Sequence, residues 1–331
     1  MVKLLIFISI LFKYYLFNYI IMNFTQLKNK INGPIYSIIT PFTKEEDIDY
    51  DSLSNYIDYL YDGGARIFYA MAFNTRYLLM SNQEIMDINK FVIKKVKSLN
   101  ENNIVIVGDP LNCSTKTSIQ FAKHAKENGA DIISLIYRAY LFFDDHVYNH
   151  YKSVADAVPN IGILVHEMPF MKGIPQHQDG SWSLDLIDKL ANIHSVVAMK
   201  EDAKQDEYTR KVVDLISDRV AIVVSGNGLQ QWSKVSDKCA SWLTGIGNLW
   251  PKTELDFYKA HLNGNKKTCD DIIENIEKPF FWIKDNLSWH LGIKSALKTL
   301  GIMEIHERMP YQPLNEEQHQ KVKEIVENII K

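Results

Sequence analysis

The heptapeptide VVAMKED, residues 196–202, is an apolar run that stops abruptly at Lys200, Glu201 and Asp202. Near-continuous apolar runs of this length are typical of parallel strands that are buried on both faces. Burial disfavours the ammonium form of a lysine, and the neutral amine is a nucleophile. This stretch alone leaves two interpretations open: Lys200 is a Schiff-base nucleophile, or the strand simply ends and the lysine reaches solvent.

Seven further runs of the same kind occur between Met22 and Gly247, separated by segments of helical periodicity such as DSLSNYIDYLYDGG at 51–64. The predicted strands are 35–40, 67–72, 104–108, 132–137, 161–166, 196–200, 221–225 and 242–245. Eight strands that alternate with helices predict an α/β fold, a (β/α)8 TIM barrel. Reacting groups in such barrels lie at the carboxyl ends of the strands, so the place of Lys200 favours the functional interpretation.

After Pro251 the pattern changes to helices only, which predicts a C-terminal helical extension at 251–331 behind a barrel at 22–250. The first 21 residues, MVKLLIFISILFKYYLFNYII, form an apolar extension that fits neither part. A membrane anchor would place Lys13 at high cost inside the bilayer, and a signal peptide lacks a small-residue cleavage site. We favour an over-long translation start, with Met22 opening the native protein.

Composition excludes several classes of function. The 331 residues carry a formal net charge of −3, with basic residues that are not clustered, so nucleic acid is not an expected partner. The three cysteines, Cys113, Cys239 and Cys269, have no metal-ligand spacing and no even count for a disulfide framework. We therefore predict a cytoplasmic protein that binds a small molecule, without metal, cofactor, nucleic acid or membrane.

Seven pieces of sequence in the same order carry a family resemblance. They are SIITPF at 37–42, GADIISL at 129–135, VVAMKED at 196–202, SGN at 225–227, NLWPK at 248–252, GIKSALKTLGI at 292–302 and RMPYQPL at 308–314. Through them the chain resembles the dihydrodipicolinate synthase and N-acetylneuraminate lyase family of class I aldolases. The resemblance implies a (β/α)8 barrel, usually a tetramer, whose sixth-strand lysine condenses with pyruvate or a related 2-oxo acid. Lys200 is that lysine by position.

The fifth strand departs from the family. Where the family has Tyr-Asn-x-Pro, this chain has HEMP, so His166 replaces the tyrosine and Glu167 the asparagine. An imidazole, with an ordinary pKa of about 6.5, can relay protons near neutral pH without the large shift that a phenol needs. The alternative is a barrel histidine that only orients water. We favour a catalytic role for His166 because it ends a strand.

The loop after the second strand also departs. The family's Gly-Thr-Thr-Gly-Glu, whose threonines hold the pyruvate carboxylate, becomes AFNTR at 72–76. Asn74 and Thr75 could still donate hydrogen bonds, and Arg76 could bind an additional carboxylate or phosphate of the substrate. The alternative for Arg76 is a structural pair with an acidic residue, and the sequence leaves both open.

A third segment, LIYRAYLFFDD at 135–145, places Tyr140 on a family tyrosine that extends the proton relay across a subunit contact. Arg138 replaces a proline there and could contact an anion, and the SGN motif makes Gly226 and Asn227 candidates for substrate binding. These roles follow from the resemblance alone.

The sequence therefore predicts a Schiff-base lyase or aldolase that acts on pyruvate or another 2-oxo acid through an imine on Lys200. His166 and Tyr140 would relay protons, and the protein would be a homo-oligomer, either a tetramer or a dimer. A catalytically altered family member, kept as a binding or oligomeric module, is the alternative. A metal-dependent aldolase would not need Lys200.

Overall fold

A closed barrel of eight parallel strands forms the centre of the protein, in a computed structural model that describes residues 23–136, 143–167, 182–226 and 228–330. The strands are β1 (Gly33–Ser37), β2 (Ile67–Ala70), β3 (Ile104–Gly108), β4 (Ile132–Ile136), β5 (Gly162–His166), β6 (Val196–Glu201), β7 (Ala221–Val224) and β8 (Ser241–Leu243). Each strand pairs with its neighbours in chain order, and β8 pairs with β1. The predicted barrel is confirmed, and each of the eight strands overlaps a predicted one.

Helices follow the strands around the barrel. In the described ranges they are α1 (23–30), α2 (Tyr50–Asp62), α3 (Asn82–Leu99), α4 (Thr115–Asn128), α5 (Asp144–Ala157), α6 (Leu184–Ala191), α7 (Asp206–Ile216), α8 (Gly228–Ser233), α9 (Pro251–Leu262), α10 (Lys266–Ile272), α11 (Lys278–Asn286), α12 (Trp289–Thr299) and α13 (Glu316–Ile330). Side-chain caps begin several of them: Asp49 accepts from Ser52 N, and Ser81 and Glu84 form a capping box. Gly129 ends α4 with φ of 94°, a conformation that favours glycine.

Apolar side chains form two layers. Inward residues such as Ile35, Tyr69 and Leu164 fill the barrel, while the alternate residues of each strand pack against the helices. Helix α1 and the residue that follows it close the amino-terminal end of the barrel with Phe24 and Ile31, which are both buried. The carboxyl ends of the strands are therefore the end that is left for a ligand.

Strand β1 shows the largest shift from its predicted bounds. The apolar run predicts a strand at 35–40, but the ladder covers Gly33–Ser37. The hydroxyl of Thr40 donates to the carbonyl of Thr75 at 2.8 Å, so the chain beyond Ser37 packs on the loop after β2. An apolar run in the sequence indicates that the chain is buried, not that it pairs in a sheet. Here the chain stays buried after its strand pairing ends at Ser37.

The chain after Pro251 is helical in its regular elements, which confirms the predicted C-terminal extension. A π-helical turn at Ile273–Glu277 joins α10 to α11, and α11 and α12 lie over the carboxyl ends of β7 and β8. Where the structure describes the chain, no helix is long and apolar enough to cross a membrane. Residues 1–21 lie outside the described ranges.

Candidate active site

The register between β5 and β6 places two predicted site residues side by side. Ile163 pairs with Val196, but the pairing then shifts by one residue, so that Leu164 pairs with Ala198 and His166 with Lys200. Without the irregularity His166 would pair with Met199. Neighbouring residues in paired parallel strands point to the same face, so the shift brings the imidazole and the amine together.

The amine of Lys200 lies between an imidazole and a carboxylate. Its Nζ is 2.8 Å from Nε2 of His166 and donates to Oδ2 of Asp202 at 2.7 Å. His166 is fully buried and Lys200 is only 1% exposed. The lysine therefore does not reach solvent, which contradicts the second of the two interpretations of this stretch.

Burial and the charge of the partner shift the pKa in opposite directions, both for Lys200 and for Asp202. Burial lowers the pKa of Lys200, and the carboxylate of Asp202 opposes that shift. Burial alone would raise the pKa of Asp202, but Lys200 and His166 hold it well below its usual range. Asp202 is thus ionised at neutral pH, and the amine beside it loses its proton more easily than a solvated lysine does.

A cavity of about 470 Å³ opens at the carboxyl ends of β2, β6, β7 and β8. Lys200 and Asp202 lie in its wall, and residues of α11 and α12 complete the lining. The apolar lining residues are Met71, Phe73, Leu243, Phe281 and Trp289. Charged and polar side chains share the lining, among them Lys204, Lys284, Asp285 and His290. A concave site that combines apolar surface with polar groups is the usual form of a small-molecule site.

Asn74 is held in the cavity wall by a polar network. Its Nδ2 donates to Ser37 Oγ at 2.7 Å, and its Oδ1 accepts from Trp289 Nε1 at 3.3 Å. Ser37 in turn exchanges hydrogen bonds with the Asn248 side chain at 3.1–3.2 Å. The network fixes the amide of Asn74 and the indole of Trp289 relative to the barrel.

Comparison with known proteins agrees with this architecture. The sequence pattern described as the Dihydrodipicolinate synthetase family matches residues 30–329, nearly the whole chain. The chain belongs to the dihydrodipicolinate synthetase family. That family comprises class I aldolase-type lyases, so the predicted enzyme class is confirmed.

Individual relatives are distant but cover almost the full length. The chain is 26% identical to a 4-hydroxy-tetrahydrodipicolinate synthase from Psychrobacter sp. (strain PRwf-1) over 301 residues, which are 90% of this chain and 95% of that protein. A synthase of the same name from Archaeoglobus fulgidus is 23% identical over 298 residues, 90% of this chain and 98% of that protein.

Two solved structures show the same fold. A putative dihydrodipicolinate synthetase from Pseudomonas aeruginosa superposes with a TM-score of 0.81 at 22% identity, over 91% of this chain and all of that one. A prophage protein of the family from E. coli K12, solved in complex with pyruvate, gives a TM-score of 0.78 at 18% identity, over 91% and 99% of the two chains.

Two residues of the AFNTR loop point away from the cavity lining. The hydroxyl of Thr75 donates to Ile38 O and accepts from Met71 N, both at 2.9 Å, so it ties the loop to β1. Arg76 is 4% exposed and donates to Oε1 of Glu307 at 3.1 Å. These contacts favour the structural alternative for Arg76, and of the loop's three predicted binding residues only Asn74 lines the cavity.

Gly226 lies in the cavity wall, and its backbone requires glycine. Its φ is 104°, and a Cβ built there would lie 2.3 Å from Cε of Lys204 and 3.0 Å from Oδ1 of Asp202. The missing side chain leaves space beside the carboxylate. Three other predicted site residues, Tyr140, Arg138 and Asn227, lie outside the described ranges and stay predictions.

Two acidic residues at the strand ends were not among the predicted site residues. Asp202 contacts the amine directly, and the signal for it was its place two residues after Lys200, on the same side of an extended chain. Glu167 has a different role: its Oε1 accepts from Trp182 N at 2.7 Å and from the Tyr208 hydroxyl at 2.8 Å. It fixes the chain that enters α6 and does not line the cavity.

Proposed function

We propose that this protein is a Schiff-base lyase or aldolase that acts on pyruvate or another 2-oxo acid through an imine on Lys200. The observation that carries the proposal is the buried Nζ of Lys200, in hydrogen-bond contact with His166 and Asp202 in a cavity wall. The named relatives and the family member solved with pyruvate support a 2-oxo acid as substrate.

The contacts around Nζ suit the first chemical step. A neutral amine attacks the keto carbon, and loss of water together with uptake of one proton leaves a protonated imine that withdraws electrons from the neighbouring carbon. His166, which touches Nζ, is positioned to accept and return protons as the carbon–carbon bond forms or breaks. Tyr140 stays a predicted partner in this relay.

The lining of the cavity supports a substrate that is larger than pyruvate. Phe281, Trp289 and Leu243 add apolar surface beyond what a methyl group can cover. Gly245 widens this part, because its missing Cβ would lie 3.6 Å from the Trp289 ring and 3.8 Å from that of Phe281. We propose that the part of the substrate beyond the 2-oxo acid group carries an apolar or aromatic group.

Reductive trapping tests the imine. Wild-type protein is incubated with borohydride and a panel of 2-oxo acids that includes pyruvate and acids with aromatic tails, and the adduct is located by peptide mass spectrometry. We expect an adduct on Lys200 with at least one acid and none in Lys200→Ala. Lys284→Ala, which removes another lysine of the cavity, should still form the adduct on Lys200.

Two results would overturn the proposal. An adduct that persists in folded Lys200→Ala would place the imine on another lysine. A folded wild-type protein that traps none of the acids would favour the alternative, a catalytically altered family member that serves as a binding or oligomeric module. The altered loop after β2 and the histidine in place of the family's tyrosine are the observations that keep this alternative open.

The assembly and the cellular location are also proposals. Family membership supports a homo-oligomer, a tetramer or a dimer, and light scattering at several protein concentrations measures its mass. The odd cysteine count and the small-molecule chemistry support a cytoplasmic enzyme, which cell fractionation tests.

A further inference from the structure

We propose that Asp202 is a second proton carrier of this site, which takes one proton from Nζ of Lys200 and delivers it to the substrate oxygen that leaves as water. The inference rests on the proposed imine chemistry. It adds a catalytic residue that was not among the predicted site residues, and it depends on a carboxylate two residues after the lysine.

Imine formation moves two protons, so it requires two proton carriers or one carrier that transfers a proton twice. An ammonium group holds three protons on nitrogen, and the protonated imine that replaces it holds one. Two protons must therefore move from Nζ to the oxygen of the keto group. The carbon–oxygen bond breaks, the carbon–nitrogen double bond forms, and one water molecule leaves with those two protons. No oxidant or reductant is needed.

The geometry supplies two carriers. Nζ contacts Nε2 of His166 at 2.8 Å and Oδ2 of Asp202 at 2.7 Å, and both distances allow direct proton transfer. The two acceptors are themselves 3.9 Å apart, too far for a direct hydrogen bond with each other. Each can therefore remove one proton from nitrogen independently.

The second oxygen of Asp202 is free to meet the substrate. Oδ1 is buried without a hydrogen-bond partner among the described residues, and Nζ of Lys204 lies 3.9 Å from it. Asp202 and Gly226 both line the cavity, and Gly226 has no side chain to cover Oδ1. A carboxylate that touches the amine with one oxygen and adjoins the cavity with the other can carry a proton between them.

A purely electrostatic role would give the opposite kinetic result. An ionised carboxylate beside the amine stabilises the ammonium form, so its removal would raise the fraction of neutral amine and speed the attack. Loss of a proton carrier would instead slow imine formation by about 10²–10⁴-fold, as is common for a lost general acid–base group. The sign of the rate change separates the two roles.

The test measures the rate of adduct formation on Lys200 by quenching with borohydride at increasing times. The probe is whichever 2-oxo acid wild-type protein traps. We expect Asp202→Asn, which keeps the shape, to form the adduct about 10²–10⁴-fold more slowly, and Asp202→Glu, which keeps the carboxylate, to retain more of the rate. Asp206→Asn, an exposed acid on α7, is the matched control and should react at the wild-type rate.

Chemical rescue gives a second, independent measurement. In Asp202→Ala, formate added to the solution can enter the space beside Gly226 and carry the proton, so the rate should rise with formate concentration. Wild-type protein should show no such rise. Formate should also leave Lys200→Ala without adduct.

The outcomes distinguish this inference from the proposed function. If wild-type protein forms no adduct, the imine chemistry itself fails and the inference fails with it. If wild-type protein forms the adduct and Asp202→Asn forms it as fast or faster, Asp202 is only an electrostatic partner. If Asp202→Asn does not fold, the absence of formate rescue in folded Asp202→Ala overturns the inference.

Discussion

Nζ of Lys200 can exchange protons with either of two neighbouring side chains, His166 and Asp202. Burial lowers the pKa of Lys200, so the neutral amine is more accessible than in solution, while Asp202 keeps a counter-charge in place. The imidazole of His166 contacts the same atom at 2.8 Å. Nucleophile and proton acceptors are thus in direct contact, which is the arrangement that an activated nucleophile requires.

We expect His166→Tyr to separate imine formation from the proton transfer that follows it. A phenol with an ordinary pKa near 10 accepts protons poorly at neutral pH. The adduct on Lys200 should still form, but exchange of the C3 hydrogens of the bound 2-oxo acid with deuterium in solvent should slow by about 10²–10⁴-fold. Mass spectrometry of the recovered acid measures the exchange.

The control for this substitution is His124→Tyr, on α4 and outside the cavity lining, which should exchange at the wild-type rate. Unchanged exchange in His166→Tyr would show that His166 is not the relay. The role would then pass to Tyr140 or to Asp202.

A buried cluster of charged side chains connects the C-terminal helical segment to the loop after β2. Oε1 of Glu307 accepts from Arg76 and from Lys294, each at 3.1 Å, and all three side chains are almost fully buried. Burial lowers the pKa of Lys294 to about 8. His290, on the same helix as Lys294, lines the cavity, so the cluster fixes one wall of the site.

We expect Glu307→Gln to lower the free energy of unfolding by about 3–5 kcal/mol, because it leaves two buried cations without their counter-charge. Glu304→Gln is the matched control: Glu304 pairs with Lys298 at 3.0 Å in the same segment, but it is exposed and should cost less than about 1 kcal/mol. Urea unfolding at pH 7 measures both. Equal costs would show that the cluster does not fasten the segment.

Buried titratable groups throughout the protein make its free energy of unfolding depend on pH. Burial raises the pKa of Asp109 to about 7, of Glu254 to about 8 and of Glu277 to about 7. Each carboxyl keeps its proton in the folded state after the unfolded chain has lost it, so rising pH favours unfolding. Burial lowers the pKa of His150 and His290, which has the opposite effect below pH 6.5. We therefore expect wild-type stability to fall between pH 6.5 and 8.

Substitution of Glu277 measures the contribution of one of these buried carboxyl groups to the pH dependence. Its Oε1 accepts from Leu229 N at 2.6 Å, a bond that a glutamine can keep. Because an unfolded glutamate titrates near pH 4.3 and folded Glu277 near 7, the wild type should lose stability relative to Glu277→Gln between pH 5 and 7. The relative loss should approach about 1.4 kcal/mol per pH unit.

Urea unfolding at intervals of half a pH unit measures this difference. Glu274→Gln, an exposed neighbour in the same π-helical turn, should run parallel to wild type. If the Glu277→Gln profile also runs parallel to wild type, Glu277 is ionised in the folded protein at pH 5.

Local patterns in the sequence were sufficient to predict the barrel and the strand end that carries Lys200. Eight short apolar runs fixed the strands, because a strand covered on both faces needs apolar residues along its whole length. The polar residue at the end of a run marked the carboxyl end of a strand, so Lys200 and His166 could be placed at one end of the barrel before any contact was known. Each of these sequence patterns spans only a few consecutive residues, so it can be recognised without knowing any tertiary contact.

The arrangement of side chains at that end of the barrel could not be predicted from the sequence, because it depends on contacts between distant parts of the folded chain. Thr75 and Arg76 lie in the loop predicted to bind anions, yet Arg76 pairs with Glu307, 231 residues away in the chain. The shift in pairing after Ile163 places His166 opposite Lys200, and the contact of Asp202 with Nζ depends on how the chain leaves β6. Such contacts depend on barrel closure and helix packing, because side-chain partners so far apart in sequence leave no local pattern.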